Sequence, residues 1–326
     1  MTSGRIDDDR TEWAVAILTS RESIATLVSA IDAVVRACSG RRSCIDVIVN
    51  GNPNLAQEVT DCYRAKFSAC SQTILRIWSI PAGDKANAIN TYIHELLQPC
   101  ETAFFVDGYA QVLPDSFRLM SADLAASPGA LGVSGVPSVG RSAKALASRM
   151  IREGGAHGTL NAIRGSVCIQ LRHMSFRLPL RLYRVDALLF AVLTFGLDPS
   201  KNVWNPSRIL VQPKASWDFR PLRMSRPSDL AIHWNRMVRQ AQGKLENRAI
   251  REHLAIQRKS PASLPKTAVE LIEEWLRSSP RTARTFLLRH PLSYFALHQL
   301  RAKPCIPNSS LRPVLLARLT TPDSSE

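Results

Sequence analysis

The chain has 326 residues, of which 45% are hydrophobic, and this composition excludes a disordered or fibrous protein. Its formal net charge of +15 is unevenly placed, because residues 1–148 carry 13 basic and 15 acidic side chains whereas residues 149–326 carry 29 and 12. The length allows either one large α/β core with an appended segment or two domains, and the basic second half predicts contact with an anionic partner.

The cysteines and the terminal segment indicate a cytoplasmic protein. Seven cysteines, an odd number without a CxxC pair, predict reduced thiols, and the seven histidines lack the spacing of zinc ligands. The first residues, MTSGRIDDDRTEW, are polar and acidic, unlike a signal peptide. The longest apolar stretch, 187–197, is too short for a membrane span, which needs about 20 residues. We therefore expect a protein that is not integral to a membrane.

The first 136 residues alternate between two hydrophobic periods. Apolar runs of strand length lie at 13–18, 45–49, 74–80, 103–106 and 130–136. Helical patterns lie between them, at 22–38, 55–67, 85–97 and 115–126. Strands separated by helices predict an α/β fold with a mostly parallel sheet and right-handed crossovers.

The pattern is looser beyond residue 137. A glycine-rich stretch precedes a predicted strand at 159–164, a helix is expected at 186–195, and a pair of strands is expected near 208–212 and 215–219. Long basic helices follow from residue 227. We expect a polar tail at 1–12, the α/β domain at 13–225, a basic helical extension at 226–319 and a disordered tail at 320–326.

The turns after the predicted strands carry the first indication of function, because ligands of such sheets bind at the carboxyl ends of the strands. Three of the first four turns contain ionised side chains, and the second contains Asn50. No GxGxxG follows the first strand, and neither GxxxxGK[ST] nor GxSxG occurs. These absences argue against a dinucleotide dehydrogenase, a P-loop NTPase and an α/β-hydrolase.

The order of the pieces resembles a family 2 glycosyltransferase, an inverting nucleotide-diphospho-sugar transferase of the GT-A fold. The segments that carry the resemblance are AILTSRES, VIVNGNPN, GDKANAIN, FFVDGYAQVLPDSF, GTLNAIRGS, VDALLFAVL and, more weakly, HWNRMVRQAQGK. They extend from about residue 13 to residue 243. The chain departs from the family pattern at Tyr109, where a second metal-motif aspartate is usual, at Val185, where a glutamate is usual, and at Asn50, where an aspartate is usual.

The resemblance implies a role for each candidate residue. Asp107 would bind a divalent metal ion, Mg²⁺ or Mn²⁺, that neutralises the leaving diphosphate. Asp186 would be the general base that takes the proton of the acceptor hydroxyl. The donor-binding candidates are Thr19, Arg21, Glu22 and Asn50 for the nucleobase and ribose, and Lys85, Arg236 and Arg239 for the diphosphate or an anionic acceptor group. His157 is left outside the predicted site, because a lone histidine is more often structural.

Each of these residues also has an ordinary structural interpretation. Asp107 has the position of a turn cap, and Asp186 that of a first-turn helix acid. Lys85 and the two arginines have the pattern of solvated charges. Two other functions stay open: a catalytically inactive relative, given Tyr109 and Val185, and a nucleic-acid-binding protein. No helix-turn-helix, RNP or zinc-finger pattern supports the second of these.

The basic second half also predicts a location. Residues 285–300, TFLLRHPLSYFALHQL, bring apolar side chains close to several arginines. Such a surface gains about 1 kcal/mol per basic residue near anionic headgroups. We expect peripheral attachment to the inner face of the cell membrane, with a glycan or lipid-linked acceptor used in synthesis of a cell-surface polysaccharide or glycolipid. The alternative is that the apolar residues pack on the core.

Overall fold

Ten strands and eleven α-helices lie in the residues that the computed structural model describes, which are 11–67, 72–140, 142–219 and 229–320, with backbone alone for 229–233. The strands are β1 (Thr11–Thr19), β2 (Ser43–Asn50), β3 (Thr73–Ile80), β4 (Cys100–Asp107), β5 (Gln111–Val112), β6 (Gly132–Ser134), β7 (Leu160–Arg164), β8 (Ile209–Val211), β9 (Trp217–Asp218) and β10 (Val314–Leu319). The helices are α1 (Ile24–Ala37), α2 (Pro53–Lys66), α3 (Lys85–Thr91), α4 (Ser116–Ala126), α5 (Ala143–Glu153), α6 (Gly165–His173), α7 (Val185–Thr194), α8 (Asp229–Arg251), α9 (Ala268–Ser278), α10 (Pro280–Arg289) and α11 (Pro291–Arg301).

Eight of the strands form one sheet in the order β10-β3-β2-β1-β4-β7-β6-β8. The first four strands of the chain are parallel to one another, whereas β7 and β10 run antiparallel to their neighbours β4 and β3. The predicted mostly parallel sheet is thereby confirmed. The strand order reverses at β1, which lies between β2 and β4, so a crevice is expected at the carboxyl ends of β1 and β4.

Alternate residues of the central strands enter two separate cores. In β1, Trp13, Val15 and Ile17 belong to the core under α1, α2 and α4. The intervening Ala14, Ala16 and Leu18 belong to the core under α3 and α6 to α11. Because β1 is buried on both faces, its sequence is almost continuously apolar, as expected for a central parallel strand.

The turns that follow β1, β2 and β3 also begin helices. A polar side chain caps each helix by accepting a hydrogen bond from a backbone N–H of the first turn; the caps are Ser23 for α1, Asn52 for α2 and Asp84 for α3. The predicted helix at 85–97 is divided, because α3 continues as a π-helix at Tyr92–Leu96. Part of the polarity of these turns therefore serves the fold.

The basic extension packs on the sheet and also supplies a strand to it. Leu245, Leu271 and Trp275 are buried in the same core as Ala14 of β1. Strand β10, within the extension predicted as helical, pairs antiparallel with β3 at the edge of the sheet. Its sequence, VLLARL, is short and follows a run without helical periodicity. The domain boundary predicted at 225–226 lies outside the described residues and stays a prediction.

Several expectations differ from the structure. The two strands predicted near 208–212 and 215–219 are present as β8 and β9, but they do not pair with each other, because β8 pairs with β6 and β9 pairs with β5. Helices α5 and α6 were not predicted, since their short basic sequences resemble loops. Thr11 and Glu12, assigned to the tail 1–12, belong to β1, while residues 1–10, Cys70 and the tail 321–326 lie outside the described ranges.

The six cysteines within those ranges are free thiols. In the same ranges, no helix has the length and apolarity needed to cross a lipid bilayer.

Candidate active site

The ends of β1 and β4 approach each other closely enough to require a glycine. The backbone N–H of Gly108 donates to the carbonyl oxygen of Leu18 at 2.8 Å. A Cβ at Gly108 would lie 2.5 Å from the Cβ of Thr19, a distance that real side chains do not adopt. Because Gly108 has no side chain, Asp107 at the end of β4 lies beside the turn that follows β1.

The turn after β1 is held by the carboxylate of Glu22. Its Oε2 atom accepts hydrogen bonds from Thr19 Oγ1 at 2.6 Å, from the N–H of Ser20 at 2.8 Å and from the N–H of Arg21 at 2.9 Å. Asn50, at the end of β2, donates its amide to the carbonyl oxygen of Thr19 at 2.7 Å. The four residues predicted for the nucleobase and ribose are thus joined in one structure, with the side chain of Arg21 exposed.

Asp107 is bonded on both of its carboxylate oxygens. Lys85 Nζ lies 2.5 Å from Oδ1, and Thr159 Oγ1 donates to Oδ2 at 3.2 Å. The hydroxyl groups of Thr159 and Tyr109 are 2.7 Å apart, so the tyrosine that replaces the second aspartate of the motif belongs to the same network. Lys85 keeps 39% of its side chain exposed and Asp107 keeps 17%, so both remain accessible to a ligand.

Asp186 lies in the first turn of α7, where the helix dipole favours a carboxylate. A Cβ at Gly158 would lie 3.0 Å from its Cγ and 3.1 Å from its Oδ2, so the glycine makes room for this side chain. Within the described residues, the carboxylate of Asp186 accepts no hydrogen bond from a side chain or backbone N–H. It is half-buried and remains free to accept a proton or a hydroxyl group.

Electrostatics join these groups in one crevice. Burial lowers the pKa of the Lys85 ammonium, but neighbouring carboxylates outweigh burial and hold that pKa above its ordinary value. These carboxylates belong to Asp107, Asp186 and Glu22. The structure therefore brings together one cation and three anions that come from four separate segments of the sequence.

His157, left out by sequence reasoning, also lies in this crevice. Burial lowers the pKa of its imidazole despite the opposing charges of Asp186 and Asp107. Its Nδ1 accepts the N–H of Thr159 at 3.3 Å, which assigns the remaining proton to Nε2, and its ring centroid lies 5.0 Å from that of Trp217. The signal in the sequence was its position just before β7, the strand that pairs with β4.

Glu246 of α8 holds the start of α7 and was not found from the sequence. Its carboxylate accepts the N–H of Tyr183 at 2.9 Å, the N–H of Arg184 at 2.8 Å and the amide of Gln242 at 2.7 Å. The side chain is fully buried, and burial raises its pKa to about 7. Because Glu246 is some 60 residues from its backbone partners, no local pattern reveals the contact.

The two predicted arginines of α8 do not reach the crevice through any bond recorded for the described residues. Arg236 and Arg239 are exposed and three residues apart on the helix, as predicted. The same helix contacts the region of Asp186 through Gln240, whose Oε1 accepts from Arg184 at 3.1 Å. Their predicted contact with a diphosphate or an anionic acceptor stays a prediction.

The motif at the end of β4 offers one carboxylate, that of Asp107, to a metal ion. Within the described ranges, no group of three His, Cys, Asp or Glu side chains is placed to hold a metal. An ion such as Mg²⁺ commonly takes one or two carboxylates together with substrate phosphates and waters. Asp107 fits that mode only when a phosphorylated ligand supplies further oxygens. Its Lys85 partner also competes for the carboxylate.

Comparison with known proteins identifies the fold. No protein-family model and no curated protein matches the chain. Among solved structures, the mannosyltransferase PcManGT from Pyrobaculum calidifontis, in complex with GDP-Man and Mn²⁺, matches with a TM-score of 0.52 and 17% identity over 93% of this chain and 78% of that one. Residues 1–349 of TarS from S. aureus, in complex with UDP-GlcNAc, match with a TM-score of 0.49 and 14% identity over 89% and 80%. The first of these matches confirms the predicted GT-A fold.

Proposed function

We propose that the chain is a glycosyltransferase that moves a sugar from a nucleotide-diphosphate donor to a hydroxyl acceptor with inversion. The observation that carries the proposal is the arrangement of Lys85 with Asp107 and Asp186 at the strand ends of a GT-A fold. An ammonium suits a diphosphate, and a separate carboxylate that accepts no hydrogen bond from the described residues suits a general base.

The donor would lie over the ends of β1, β2 and β4. The turn of Thr19, Arg21, Glu22 and Asn50 would contact the nucleobase and ribose, and Lys85 would contact the diphosphate. Support for this placement comes from the crevice at the point where the strand order reverses, the usual ligand position in such sheets. The exposed Arg236 and Arg239 are proposed as contacts for the diphosphate or for an anionic acceptor group.

Asp107 is the proposed ligand of a divalent ion, Mg²⁺ or Mn²⁺. When bound with the donor, such an ion would supply positive charge that stabilises the leaving diphosphate. PcManGT was solved in complex with GDP-Man and Mn²⁺, and binding of Mn²⁺ or Mg²⁺ together with the donor is proposed for this chain. Thr159 and Tyr109 would orient the Asp107 carboxylate through their hydroxyl groups.

The proposed reaction is a single displacement. The acceptor oxygen forms a bond to the anomeric carbon while the bond from that carbon to the diphosphate oxygen breaks. The diphosphate leaves with the electron pair, and the hydroxyl proton moves to Asp186. One carboxylate is sufficient for this step, because attack from the face opposite the leaving group inverts the anomeric centre. His157, neutral and with its proton on Nε2, is placed to donate to a sugar or acceptor oxygen.

Binding and turnover of nucleotide sugars test the proposal. We expect GDP or UDP to stabilise the chain against thermal unfolding in the presence of Mn²⁺ or Mg²⁺; at a hundred times the Kd this is about 2.7 kcal/mol. A screen of GDP- and UDP-linked sugars should then reveal hydrolysis or transfer. Stabilisation without turnover would identify an inactive relative, and no stabilisation by either diphosphate would contradict the donor site.

The proposal includes the setting of the reaction. The acceptor is proposed to be a glycan or a lipid-linked molecule used in building a cell-surface polysaccharide or glycolipid. The chain would act in the cytoplasm, attached peripherally to the inner face of the cell membrane. The basic second half supports this location, because it favours anionic lipid.

A further inference from the structure

Among the side chains that the structure describes, five large apolar ones are exposed on helices α8, α10 and α11. They are Trp234, Met237, Leu288, Tyr294 and Phe295, and we call the surface that they form the α8–α11 face. Leu288 is 76% exposed and Tyr294 is 62% exposed. The rings of Trp234 and Phe295 lie 5.8 Å apart, which joins the part of the face on α8 to the part on α11. A contiguous exposed apolar patch, unlike single scattered side chains, usually marks a binding surface.

A groove of about 530 Å³ opens on this face between α9, α10 and α11. Its walls are mostly apolar, with Leu276, Leu287, Leu288 and Tyr294 among the lining residues, and Arg284 is the one charged residue among the described residues that line it. The groove is therefore suited to a ligand with an apolar part and an anionic part, because an arginine adjoins the apolar walls.

The charges on helices α10 and α11 have one sign. Helices α10 and α11, from residue 280 to residue 301, contain four arginines and no acidic residue. Of these arginines, Arg301 pairs with Glu273 at 3.1 Å, whereas Arg281, Arg284 and Arg289 have no ion pair with any residue that the structure describes.

We infer that the α8–α11 face docks on an anionic lipid bilayer. Aromatic and aliphatic side chains would enter the interface between headgroups and acyl chains, and the arginines would contact the headgroups. A second copy of the chain fits less well, because a two-fold contact would bring the same cations together. Duplex nucleic acid fits less well too, because its phosphates would leave five apolar side chains without a partner.

Docking on this face would place the acceptor side of the crevice near the membrane. Trp234 and Gln240 lie six residues apart on α8, about 9 Å along the helix axis. Gln240 bonds to Arg184, two residues before Asp186. The inference rests on the proposed peripheral attachment and names the surface responsible for it. A lipid-linked acceptor held in that bilayer would approach the crevice from the side of Asp186, the proposed base.

Flotation of the full chain with vesicles tests the inference. The vesicles contain equal parts of phosphatidylcholine and phosphatidylglycerol, or phosphatidylcholine alone. We expect the chain to float with the anionic vesicles at low salt and to be released at about 1 M salt, where the Debye length falls to about 3 Å. Leu288→Glu and Tyr294→Glu should each abolish flotation, and Arg284→Gln should weaken binding about fivefold.

Matched controls separate the face from general surface properties. Val203→Glu changes a side chain that is 71% exposed, and Arg118→Gln changes an exposed arginine on α4; neither should alter flotation. A chain that stays in the aqueous fraction with anionic vesicles at low salt would overturn the inference. So would tighter binding to duplex DNA than to the vesicles, or a dimer, broken by Leu288→Glu, that does not float. Stabilisation by GDP or UDP does not use this face, so its loss or retention tests the transferase separately.

Discussion

Lys85 Nζ and Asp107 Oδ1 lie 2.5 Å apart, and this ion pair joins the start of α3 to the end of β4. The same carboxylate is the proposed metal ligand, so a divalent ion and the ammonium compete for it until a diphosphate gives Lys85 another anionic partner. Donor and metal are therefore expected to bind cooperatively, because each removes a cost for the other.

Replacement of Asp107 tests the proposed metal ligand. Asp107→Asn keeps the size of the side chain and removes its charge, so we expect turnover to be abolished. Stabilisation by GDP or UDP should no longer depend on Mn²⁺. Thermal unfolding with and without each component measures this. The control is Asp115→Asn, an exposed aspartate paired with Arg118. Turnover that survives Asp107→Asn would contradict the assignment.

Lys85→Gln is expected to have opposite effects on two ligands. Loss of the ammonium frees the Asp107 carboxylate, so Mn²⁺ alone should bind more tightly than to the wild type. The nucleotide diphosphate loses a charged hydrogen bond worth about 1.5–3 kcal/mol, so its affinity should fall by about 10- to 100-fold. Calorimetric titration of each ligand measures the two changes. The control is Lys66→Gln on α2, which removes an ion pair with Asp32 of α1 and should change neither affinity.

Asp186→Asn tests the proposed base. The amide keeps the shape of the carboxylate but does not accept the acceptor proton, so kcat should fall by about 10²- to 10⁴-fold. Donor affinity should stay near that of the wild type. The exposed Asp61 supplies the control variant, Asp61→Asn. If donor affinity falls together with kcat, Asp186 belongs to the donor site or to the scaffold, and the proton transfer must be assigned elsewhere.

The sequence predicts the sheet well because β1 to β4 are apolar runs that turn at polar residues. Those runs are buried on both faces, so they are almost continuously apolar and stand out from the helical patterns between them. The turns at Thr19, Asn50 and Asp107 follow directly from the strand ends. Strands β6, β8 and β9 lie within predicted strand ranges, but with only two or three residues each they are too short for their partners to be predicted, and the two-residue β5 was not predicted.

The parts of the site that the sequence did not reveal depend on contacts between distant segments. Glu246 of α8 accepts hydrogen bonds from Tyr183 and Arg184, which lie just before α7. His157 enters the crevice because β7 pairs with β4. Neither contact corresponds to a recognisable spacing of residues in the sequence. Arg236 and Arg239 are the opposite case. Their spacing on one helix is as predicted from the sequence, but their proposed role is contact with a ligand.

Gly158→Ala tests the space that Asp186 occupies. The added Cβ would lie 3.0 Å from the Asp186 carboxyl carbon, so the carboxylate must shift by a few tenths of an ångström. Because small misplacements of a reacting group are costly, we expect kcat to fall by up to about 10²-fold with donor affinity unchanged. The matched control is Gly129→Ala, where no atom lies within 4 Å of the added carbon. An unchanged kcat in Gly158→Ala would show that Asp186 needs no fixed position.

Glu246 predicts how stability depends on pH. Burial raises its folded-state pKa to about 7, above the ordinary value of 4.5, so the folded chain holds this proton more tightly than the unfolded chain. The resulting stabilisation is complete below pH 4.5 and is lost as the pH rises through 7, a change of about 3 kcal/mol. Glu246→Gln does not titrate, so the free energy of unfolding of the wild type, minus that of this variant, should fall by most of that amount between pH 5 and pH 8. Denaturant unfolding at both pH values measures this difference.

The exposed Glu58 provides the control, Glu58→Gln, whose free energy of unfolding should follow that of the wild type. A difference between wild type and Glu246→Gln that stays constant from pH 5 to pH 8 would show that Glu246 is ionised throughout, and that the start of α7 is held by a buried charge.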